Sequence, residues 1–179
     1  PDGQYIAFLK PLNNTRNIWV KKTAEPFSAA KPVTNETKRP IPAFFWTRDG
    51  KSILFIRDND GDENYNVWSA DPAGQKSARN LTDAKGVVAF IYATPKTDPN
   101  TVYVGLNDRD KAWHDLYKLN LTTGERTLLR KNTDRISGWF FDNQGTLRLA
   151  IRSAENGDSE ILRVDAAKFE KVYSCTVLE

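Results

Sequence analysis

The sequence has few of the residues that most often carry covalent chemistry or bind metal ions. Its 179 residues include one cysteine, Cys175, one histidine, His114, and no methionine. A single cysteine cannot form a disulfide within the chain, so the cysteine content does not indicate a redox compartment. Because the chain starts at Pro1 and lacks methionine, we expect it to be a piece of a longer protein.

Long apolar runs and an excess of one charge are also missing. No stretch approaches about 18 consecutive apolar residues, so no membrane-spanning helix is predicted. Lys and Arg total 26 against 23 Asp and Glu, which gives a net charge of +3. Basic runs are no longer than pairs such as Lys21-Lys22 and Lys38-Arg39. This balance argues against a nucleic-acid partner, and the sequence predicts neither a nucleic-acid nor a membrane partner.

The sequence does contain a repeat of about 45 residues. One landmark is an aspartate turn followed by an apolar strand, at Asp2, Asp49, Asp98 and Asp142. A second landmark is a later strand that begins at Ile18, Val67, Leu116 and Ile161. The two landmarks keep nearly the same spacing through the chain, which random composition rarely produces. A repeat of this kind indicates stacked copies of one small unit.

Each repeat reads as four short antiparallel strands separated by turns. The segment 44–57 shows the pattern, with an aromatic strand, an Asp49-Gly50 turn of the two-residue hairpin type, and the strand Ile53–Ile56, which is apolar on both faces. A β-sandwich also has short strands, but it rarely repeats one aromatic pattern at a fixed period. The sequence therefore predicts an all-β fold, a β-propeller fragment of about four four-stranded antiparallel blades.

The predicted blades span approximately residues 1–36, 41–83, 87–131 and 136–175. The first blade is expected to lack its innermost strand, because the chain starts inside a turn. Strand polarity places the charged loops 58–64, 107–114 and 154–158 on the same face as the connections between blades. The opposite face carries short turns.

Several runs resemble a known family. The opening Pro1–Phe8 resembles the TolB-type propeller repeat. Longer loop runs look like the N-terminal propeller of bacterial prolyl oligopeptidase family serine peptidases; they are Asn35–Pro40, Asp58–Tyr65, Gly105–Asp110 and Trp113–Tyr117. The resemblance covers essentially the whole chain.

In that family the propeller caps a C-terminal α/β-hydrolase domain and restricts substrates to short peptides. The resemblance thus implies a bacterial substrate-gating propeller whose partners are its own hydrolase domain and a peptide substrate. The compartment, periplasm or cytoplasm, stays open. The catalytic domain is absent from this chain, and no Gly-x-Ser-x-Gly nucleophile elbow occurs in it. The alternative is a non-catalytic TolB-like propeller that binds proteins. The sequence predicts no catalytic residues and no cofactor.

Charged loop residues are the candidates for substrate contact. Asp62 and Glu63 could attract the amino terminus of a peptide, and Arg39 or Arg109 could hold a carboxylate or carbonyl group. His114 is expected to pack within its loop or contact substrate rather than act as a general base, since the neighbouring Asp115 does not by itself make a catalytic pair.

Two further expectations concern metals and self-association. The spacing of Asp58, Asp60 and Asp62 resembles a calcium loop, but Gly61 comes before the third aspartate, so a solvated acidic hairpin is favoured and no metal is predicted. End blades that lack neighbours would expose apolar faces, so the isolated chain is expected to self-associate through them.

Overall fold

The computed structural model describes residues 3–165 and 168–178. In these ranges the chain forms strands and one short 3-10 helix, Phe27–Ala29. The strands are β1 Tyr5–Leu12, β2 Thr15–Lys22, β3 Lys31–Pro32, β4 Phe44–Trp46, β5 Ile53–Arg57, β6 Asn66–Ala70, β7 Arg79–Asn80, β8 Ala89–Ala93, β9 Thr101–Leu106, β10 Asp115–Asn120, β11 Arg126–Arg130, β12 Ile136–Phe141, β13 Leu147–Ser153, β14 Ser159–Val164 and β15 Phe169–Cys175. No helix in the described ranges is long and apolar enough to span a bilayer.

The strands form four antiparallel sheets, in which each strand pairs with its neighbours in sequence. The sheets are β1–β3, β4–β7, β8–β11 and β12–β15. The first has three strands and the others have four, as predicted from the repeat. The chain divides into two compact units between Ala89 and Phe90, at the start of β8.

The core of the first unit lies between its two sheets. Ile18 and Val20 of β2 pack against Ile53 and Phe55 of β5, and all four are buried. Their contact follows from the repeat, because the apolar residues of each strand alternate with side chains on the other face. Burial of these side chains from water is the main stabilising contribution of the unit.

The core of the second unit repeats this arrangement. Leu116 of β10 packs against Trp139, Ala150 and Leu162 of the last sheet, and all four are buried. At the edge of this core the ring of Tyr103 stacks on Phe141, with 4.1 Å between ring centroids. The two units therefore use the same packing of one sheet against the next.

The turn at Asp49-Gly50 differs from the sequence prediction. Trp46 pairs with Ile53, and the Thr47 amide bonds to the Ser52 carbonyl, so the loop is longer than two residues. Only Gly50 of the two predicted turn residues has a positive φ, of 70°. The prediction of a two-residue turn here is wrong, because the Asp49 side chain instead accepts hydrogen bonds from Thr47 and Lys51 and stabilises a wider loop.

A two-residue turn of the expected type occurs instead between β1 and β2. Leu12 pairs with Thr15, which leaves Asn13 and Asn14 as the two turn residues. Their φ angles are 49° and 67°, the positive values that a type I′ turn requires at both positions. Asparagine tolerates this conformation better than most residues. The Asn13-Asn14 pair is a turn signal in the sequence, but it was not predicted because the repeat was located by its aspartate turns.

Candidate functional site

In the first unit, Asp62 and Glu63 lie on the loop of residues 58–64 between β5 and β6, called the acidic loop here. The Asp62 carboxylate accepts hydrogen bonds from the amides of Asn64 at 3.0 Å and Asn59 at 3.1 Å. The bond from the Asn64 amide is the main reason that the pKa of Asp62 lies below its ordinary value. Asp62 is therefore a carboxylate at neutral pH, fixed by its own loop and exposed to solvent.

Arg39 lies against the same loop. Its Nε is 3.8 Å from an oxygen of Asp58, whose side chain is only 3% exposed, whereas that of Arg39 is half exposed. The Arg39 side chain also approaches within 3.9 Å of the position where a Cβ on Gly61 would stand. The structure thus brings the predicted residues Arg39, Asp62 and Glu63 to one loop and the segment packed on it.

The three aspartates of the acidic loop have separate partners. Asp58 faces Arg39 and accepts a long hydrogen bond of 3.4 Å from the Glu63 amide, while Asp60 pairs with Lys38 at 2.6 Å. Asp62 binds the backbone of its own loop. Across residues 3–165 and 168–178, no three His, Cys, Asp or Glu side chains converge as a metal site would require.

A cavity of about 310 Å³ opens beside the acidic loop. Asp58 and Asp62 line one side of it, and Asp83 and Lys85 lie on the connection that follows β7. Trp68 also lines this cavity, and the Arg57 guanidinium stacks 3.9 Å from the Trp68 ring centroid while pairing with Glu36 at 2.7 Å. The first unit therefore presents a partly acidic cavity next to a half-exposed arginine.

In the second unit, Arg109 binds the beginning of the strand that follows its own loop. It forms two hydrogen bonds of 2.7 Å to the two carboxylate oxygens of Asp115, the first residue of β10, and a third of 3.0 Å to the Asn132 carbonyl. The Asp115 side chain is only 2% exposed, and that of Arg109 is 35% exposed. Bidentate geometry of this kind gives strong and directional pairs. Arg109 thus fixes the loop 107–114 to β10.

The pKa of Asp115 reflects two opposing effects. Its burial alone would raise the pKa, because burial disfavours the charged form. The hydrogen bonds from Arg109 and from the Asn132 amide, at 2.7 Å, outweigh this, so the pKa lies below the ordinary value. The hydrogen bonds that Arg109 donates to Asp115 correspondingly raise the pKa of Arg109. The pair is ionised throughout the neutral range.

His114 lies at the end of the same loop, and its ring packs on Phe90. The ring centroids are 4.5 Å apart with a tilt of 42°. The backbone carbonyl of His114 accepts a hydrogen bond from the Asn132 side chain at 3.2 Å. The ring therefore packs on β8 rather than within its own loop, and a contact of His114 with substrate stays a prediction. Arg109 and His114 thus both lie on the loop between β9 and β10; a common face with the acidic loop stays a prediction.

A set of buried polar contacts at the start of the third strand of each repeat was not predicted. In the first sheet, Asn17 accepts hydrogen bonds from the Thr34 hydroxyl at 2.8 Å and the Glu36 amide at 2.7 Å. In the second sheet, Asn66 accepts them from the Thr82 hydroxyl at 2.8 Å and the Ala84 amide at 2.9 Å. We call each set a polar latch. It holds the segment that connects one sheet to the next, and it holds that segment against the third strand of the repeat.

The other two sheets use acidic residues at the corresponding position. Asp115 holds the connection through the Asn132 amide, as described above. In the last sheet Glu160 is buried and pairs with Arg152 and Lys171, and the hydrogen bond from Arg152 is the main cause of its lowered pKa. The latches could have been found from the sequence, because Asn17, Asn66 and Asp115 recur at the spacing of the repeat. Glu160 stands at the fourth such position but binds side chains of β13 and β15 instead of a connection.

Comparisons with known proteins place this geometry in context. No family model matches the chain. It is 37% identical over 164 residues to dipeptidyl aminopeptidase BIII of Pseudoxanthomonas mexicana, covering 91% of this chain and 23% of that protein. It is 33% identical over 164 residues to dipeptidyl peptidase family member 6 of Caenorhabditis elegans, covering 88% of this chain and 22% of that protein. The chain thus spans less than a quarter of the length of these relatives.

Solved structures agree on the fold. TolB from Acinetobacter baumannii matches with a TM-score of 0.62 at 13% identity, over 96% of this chain and 41% of its own. A chain from a structural study of two prolyl endopeptidases matches with a TM-score of 0.62 at 14% identity, over 97% of this chain and 26% of its own. The chain is therefore a β-propeller fragment, and the similarity to the propeller of prolyl oligopeptidase-type peptidases that its loop motifs predicted is confirmed.

Proposed function

We propose that this chain is the substrate-gating propeller of a serine peptidase that hydrolyses short peptides. The observation that carries the proposal is the 37% identity to a dipeptidyl aminopeptidase across nine-tenths of the chain. The partner of the propeller would be a C-terminal α/β-hydrolase domain of the same polypeptide, which supplies the nucleophile. Each sheet with its flanking loops would form one blade, over approximately residues 1–36, 41–83, 87–131 and 136–175.

The acidic loop supports a role in substrate contact. Asp62 and Glu63 are exposed, and Asp62 is ionised and fixed by backbone hydrogen bonds. Fixed carboxylates of this kind would attract the ammonium group of a peptide amino terminus with little loss of side-chain freedom. Arg39 has a long ion pair and a half-exposed guanidinium, so it retains hydrogen-bonding capacity for a peptide carboxylate or carbonyl.

The two residues proposed in the second unit take different roles. The Nε and one terminal nitrogen of Arg109 already donate hydrogen bonds to Asp115 and Asn132. Arg109 would therefore act mainly by positioning the loop 107–114. His114 would contact substrate through the ring that packs on Phe90. Neither residue is proposed to transfer a proton.

A TolB-like propeller that binds proteins is the second candidate. It is supported by the equal TM-scores of 0.62 for TolB and the prolyl endopeptidase chain. At 13% identity, however, the match to TolB informs on the fold alone. The much higher identity to the dipeptidyl aminopeptidase favours the peptidase function.

The proposal can be tested in the full-length protein with short peptide substrates. We expect Arg39→Ala to lower kcat/KM roughly fivefold to tenfold, the loss of one charge-assisted hydrogen bond at a half-exposed site. Asp62→Asn should raise KM for peptides with a free amino terminus and leave blocked peptides unaffected. Asp60→Asn is the matched control, since Asp60 lies on the same loop but pairs with Lys38. Unchanged kinetics in both Arg39→Ala and Asp62→Asn would reject the contact, and an intact protein without peptidase activity would favour the binding function.

A further inference from the structure

The connection between β11 and β12 carries an arginine that was not among the candidates from the sequence. Arg135 is the last residue before β12, and its φ of 59° lies in the left-handed region. An arginine keeps this conformation only where the surrounding structure holds it. Here the Asn132 side chain bonds to the amide and the carbonyl of Ile136, at 2.9 and 2.7 Å. The Arg135 carbonyl accepts a hydrogen bond from the Ser153 amide at 3.1 Å, so its backbone is fixed on both sides.

The guanidinium of Arg135 lies over the ring of Trp113, 5.9 Å from the ring centroid. Trp113 belongs to the loop 107–114, which Arg109 fixes to β10. A cation over an aromatic face is attracted by the ring and does not use its N–H donors for that contact. The planar face of the guanidinium is therefore supported by a fixed loop, while the N–H groups at its edge stay available to bind a ligand.

The carboxylate partner of Arg135 is distant and exposed. The Arg135 Nη1 is 3.8 Å from an oxygen of Glu155, and the two side chains are 43% and 94% exposed. By contrast, Arg109 and Arg152 of the same unit approach their carboxylate partners to 2.7 and 2.5 Å. An exposed ion pair as long as that of Arg135 contributes little to stability. Glu155 can therefore be replaced at the guanidinium by a carboxylate that approaches more closely.

A cavity of about 300 Å³ opens beside Arg135, lined by residues 133–135, 152–155 and 160. This volume is at the lower end of the range for small-molecule sites, and it suits one terminal residue of a peptide rather than a whole chain. The buried Glu160 carboxylate in its wall is already paired with both Arg152 and Lys171. Arg135 is therefore the cation in this wall whose close partner is still lacking among the described residues.

Arg135 occupies the same position in its repeat as Arg39 does in the first unit. Each stands three residues after the residue whose amide binds a latch, Glu36 for Arg39 and Asn132 for Arg135. Each also forms an ion pair of 3.8 Å with the loop between the second and third strands of the sheet that follows. In the repeat between them this position holds Val87, so the fold itself does not require an arginine there.

We propose that Arg135 binds the C-terminal carboxylate of a peptide in this cavity, in place of Glu155. The inference rests on the proposed peptidase function, to which it adds the chemistry of one end of the substrate. The Trp113 ring supports the face of the guanidinium, and the N–H groups at its edge match the two oxygens of a carboxylate. Asp134 also lines the cavity, so a peptide whose last side chain is acidic would be repelled.

Hydrolysis of Ala-Ala-Ala and of its C-terminal amide by the full-length protein tests the proposal. Arg135→Gln should raise KM for the free acid roughly fivefold to tenfold and leave the amide unchanged, because only the acid makes the charge-assisted contact. Glu155→Gln should lower KM for the free acid roughly twofold, since it removes the competing carboxylate. Arg148→Gln, an exposed arginine near the other end of β13, is the control and should alter neither substrate. Equal effects of Arg135→Gln on acid and amide would overturn the proposal.

Binding of the same two peptides to the 179-residue chain separates this proposal from the peptidase function. The reporter is the indole N–H signal of Trp113 in NMR spectra, assigned with Trp113→Phe. We expect the free acid to shift this signal, the amide to leave it in place, and the shift to be lost in Arg135→Gln. No shift, or equal shifts with acid and amide, would overturn the proposal even if the full-length protein is a peptidase. An acid-specific shift in a protein that hydrolyses no peptide would reject the peptidase function and leave the carboxylate site standing.

Discussion

The polar latches of the two units both bind the connection between sheets, but the first unit uses neutral asparagine amides and the second uses an aspartate carboxylate. In the first unit, Asn17 and Asn66 are neutral amides that accept from a threonine hydroxyl and a backbone amide and donate to backbone carbonyls. In the second unit, Asp115 is an acceptor only and takes its hydrogen bonds from Arg109 and the Asn132 amide. The buried position is satisfied in both units, but only the second requires a charge from a neighbouring loop.

This difference determines what each latch holds in place. An asparagine side chain carries both donors and acceptors, so it can satisfy a connection without help. A buried carboxylate must be paired, because an uncompensated charge in the interior is costly. Asp115 therefore ties the loop 107–114 to β10 through an ion pair with Arg109, whereas Asn66 reaches the acidic loop through a neutral hydrogen bond to the Asn64 carbonyl at 3.2 Å. Both latches contact the preceding loop, but only the second does so through charge.

The largest effect is expected from removing the charged latch. Asp115→Ala should lower the free energy of unfolding by about 3 kcal/mol, because it leaves the Asn132 amide and the Arg109 guanidinium without their partner. Urea unfolding followed by tryptophan fluorescence measures this. Asp108→Ala, an exposed carboxylate on the same loop, is the control and should change stability by less than about 0.5 kcal/mol. Equal effects of the two variants would show that the latch contributes little.

The role of Arg109 differs between the sequence prediction and the structure. From the sequence, Arg109 is a charged loop residue that could hold a carboxylate or carbonyl group of a substrate, with no predicted role in stability. The bidentate pair with Asp115 predicts instead that Arg109→Glu lowers the melting temperature, since it places two carboxylates side by side. Spacing within a loop cannot reveal this pairing, because an arginine six residues away reaches the strand only once the loop has folded back.

A slightly smaller loss is expected from the neutral latch. Asn66→Ala should cost about 2 kcal/mol, because the Ala84 amide and the Thr82 hydroxyl lose their acceptor in a buried setting. The matched control is Asn64→Ala, which removes a side chain whose hydrogen bonds go to the nearby Asp62 in the same loop. If Asn66→Ala were as mild as its control, backbone contacts alone would be sufficient to hold this connection.

The two latches should differ in how their contributions to stability depend on pH. The pKa of Asp115 lies below its ordinary value of 3.8, so its stabilising contribution is present in full above that value and is lost as the pH falls through the folded-state pKa. Asp115→Asn should therefore flatten the decline of stability between about pH 5 and pH 2 relative to the parent chain. Asn66→Ala should leave that slope unchanged, since Asn66 does not titrate. An unaltered slope in Asp115→Asn would contradict the assignment.

The threonines of the neutral latches should contribute least among the contacts. Thr34→Val and Thr82→Val each remove one hydroxyl that accepts from a strand amide and donates to the latch asparagine. Valine keeps the shape, so the loss should be about 1 kcal/mol for each. Because the two latches have the same geometry, the two variants should agree within error. A large difference between them would mean that the two repeats are not equivalent.

The isolated chain is expected to have no measurable catalytic activity. It has no Gly-x-Ser-x-Gly elbow, and its single histidine packs on Phe90. We expect no hydrolysis of short peptides or activated esters by the purified chain, measured with a chromogenic substrate at high protein concentration. Turnover that copurifies with the chain and disappears in His114→Ala would contradict this.

The sequence predicted the strands well and the contacts between side chains poorly. Strands such as β5 and β9 are marked by apolar runs that the structure buries, and the repeat fixes their order. The turn at Asn13-Asn14 and the latches depend on single polar residues, and the partners of Asn17 and Asn66 lie 16 to 19 positions away in sequence. Asn17 and Thr34 could have been linked only by noticing that Asn66 and Thr82 recur with them. Periodicity identifies a sheet, while polar pairing requires the folded backbone.

The order of strands in the sheets has a consequence for how the chain folds. Every strand of β1–β15 pairs with strands next to it in sequence. The backbone ladder therefore needs only short loop closures, and its relative contact order is low for a protein made of strands. Each hairpin can form as soon as its second strand leaves the ribosome, without waiting for a distant partner. Synthesis from the amino terminus should thus produce the sheets one after another, in the order in which they stand in the sequence.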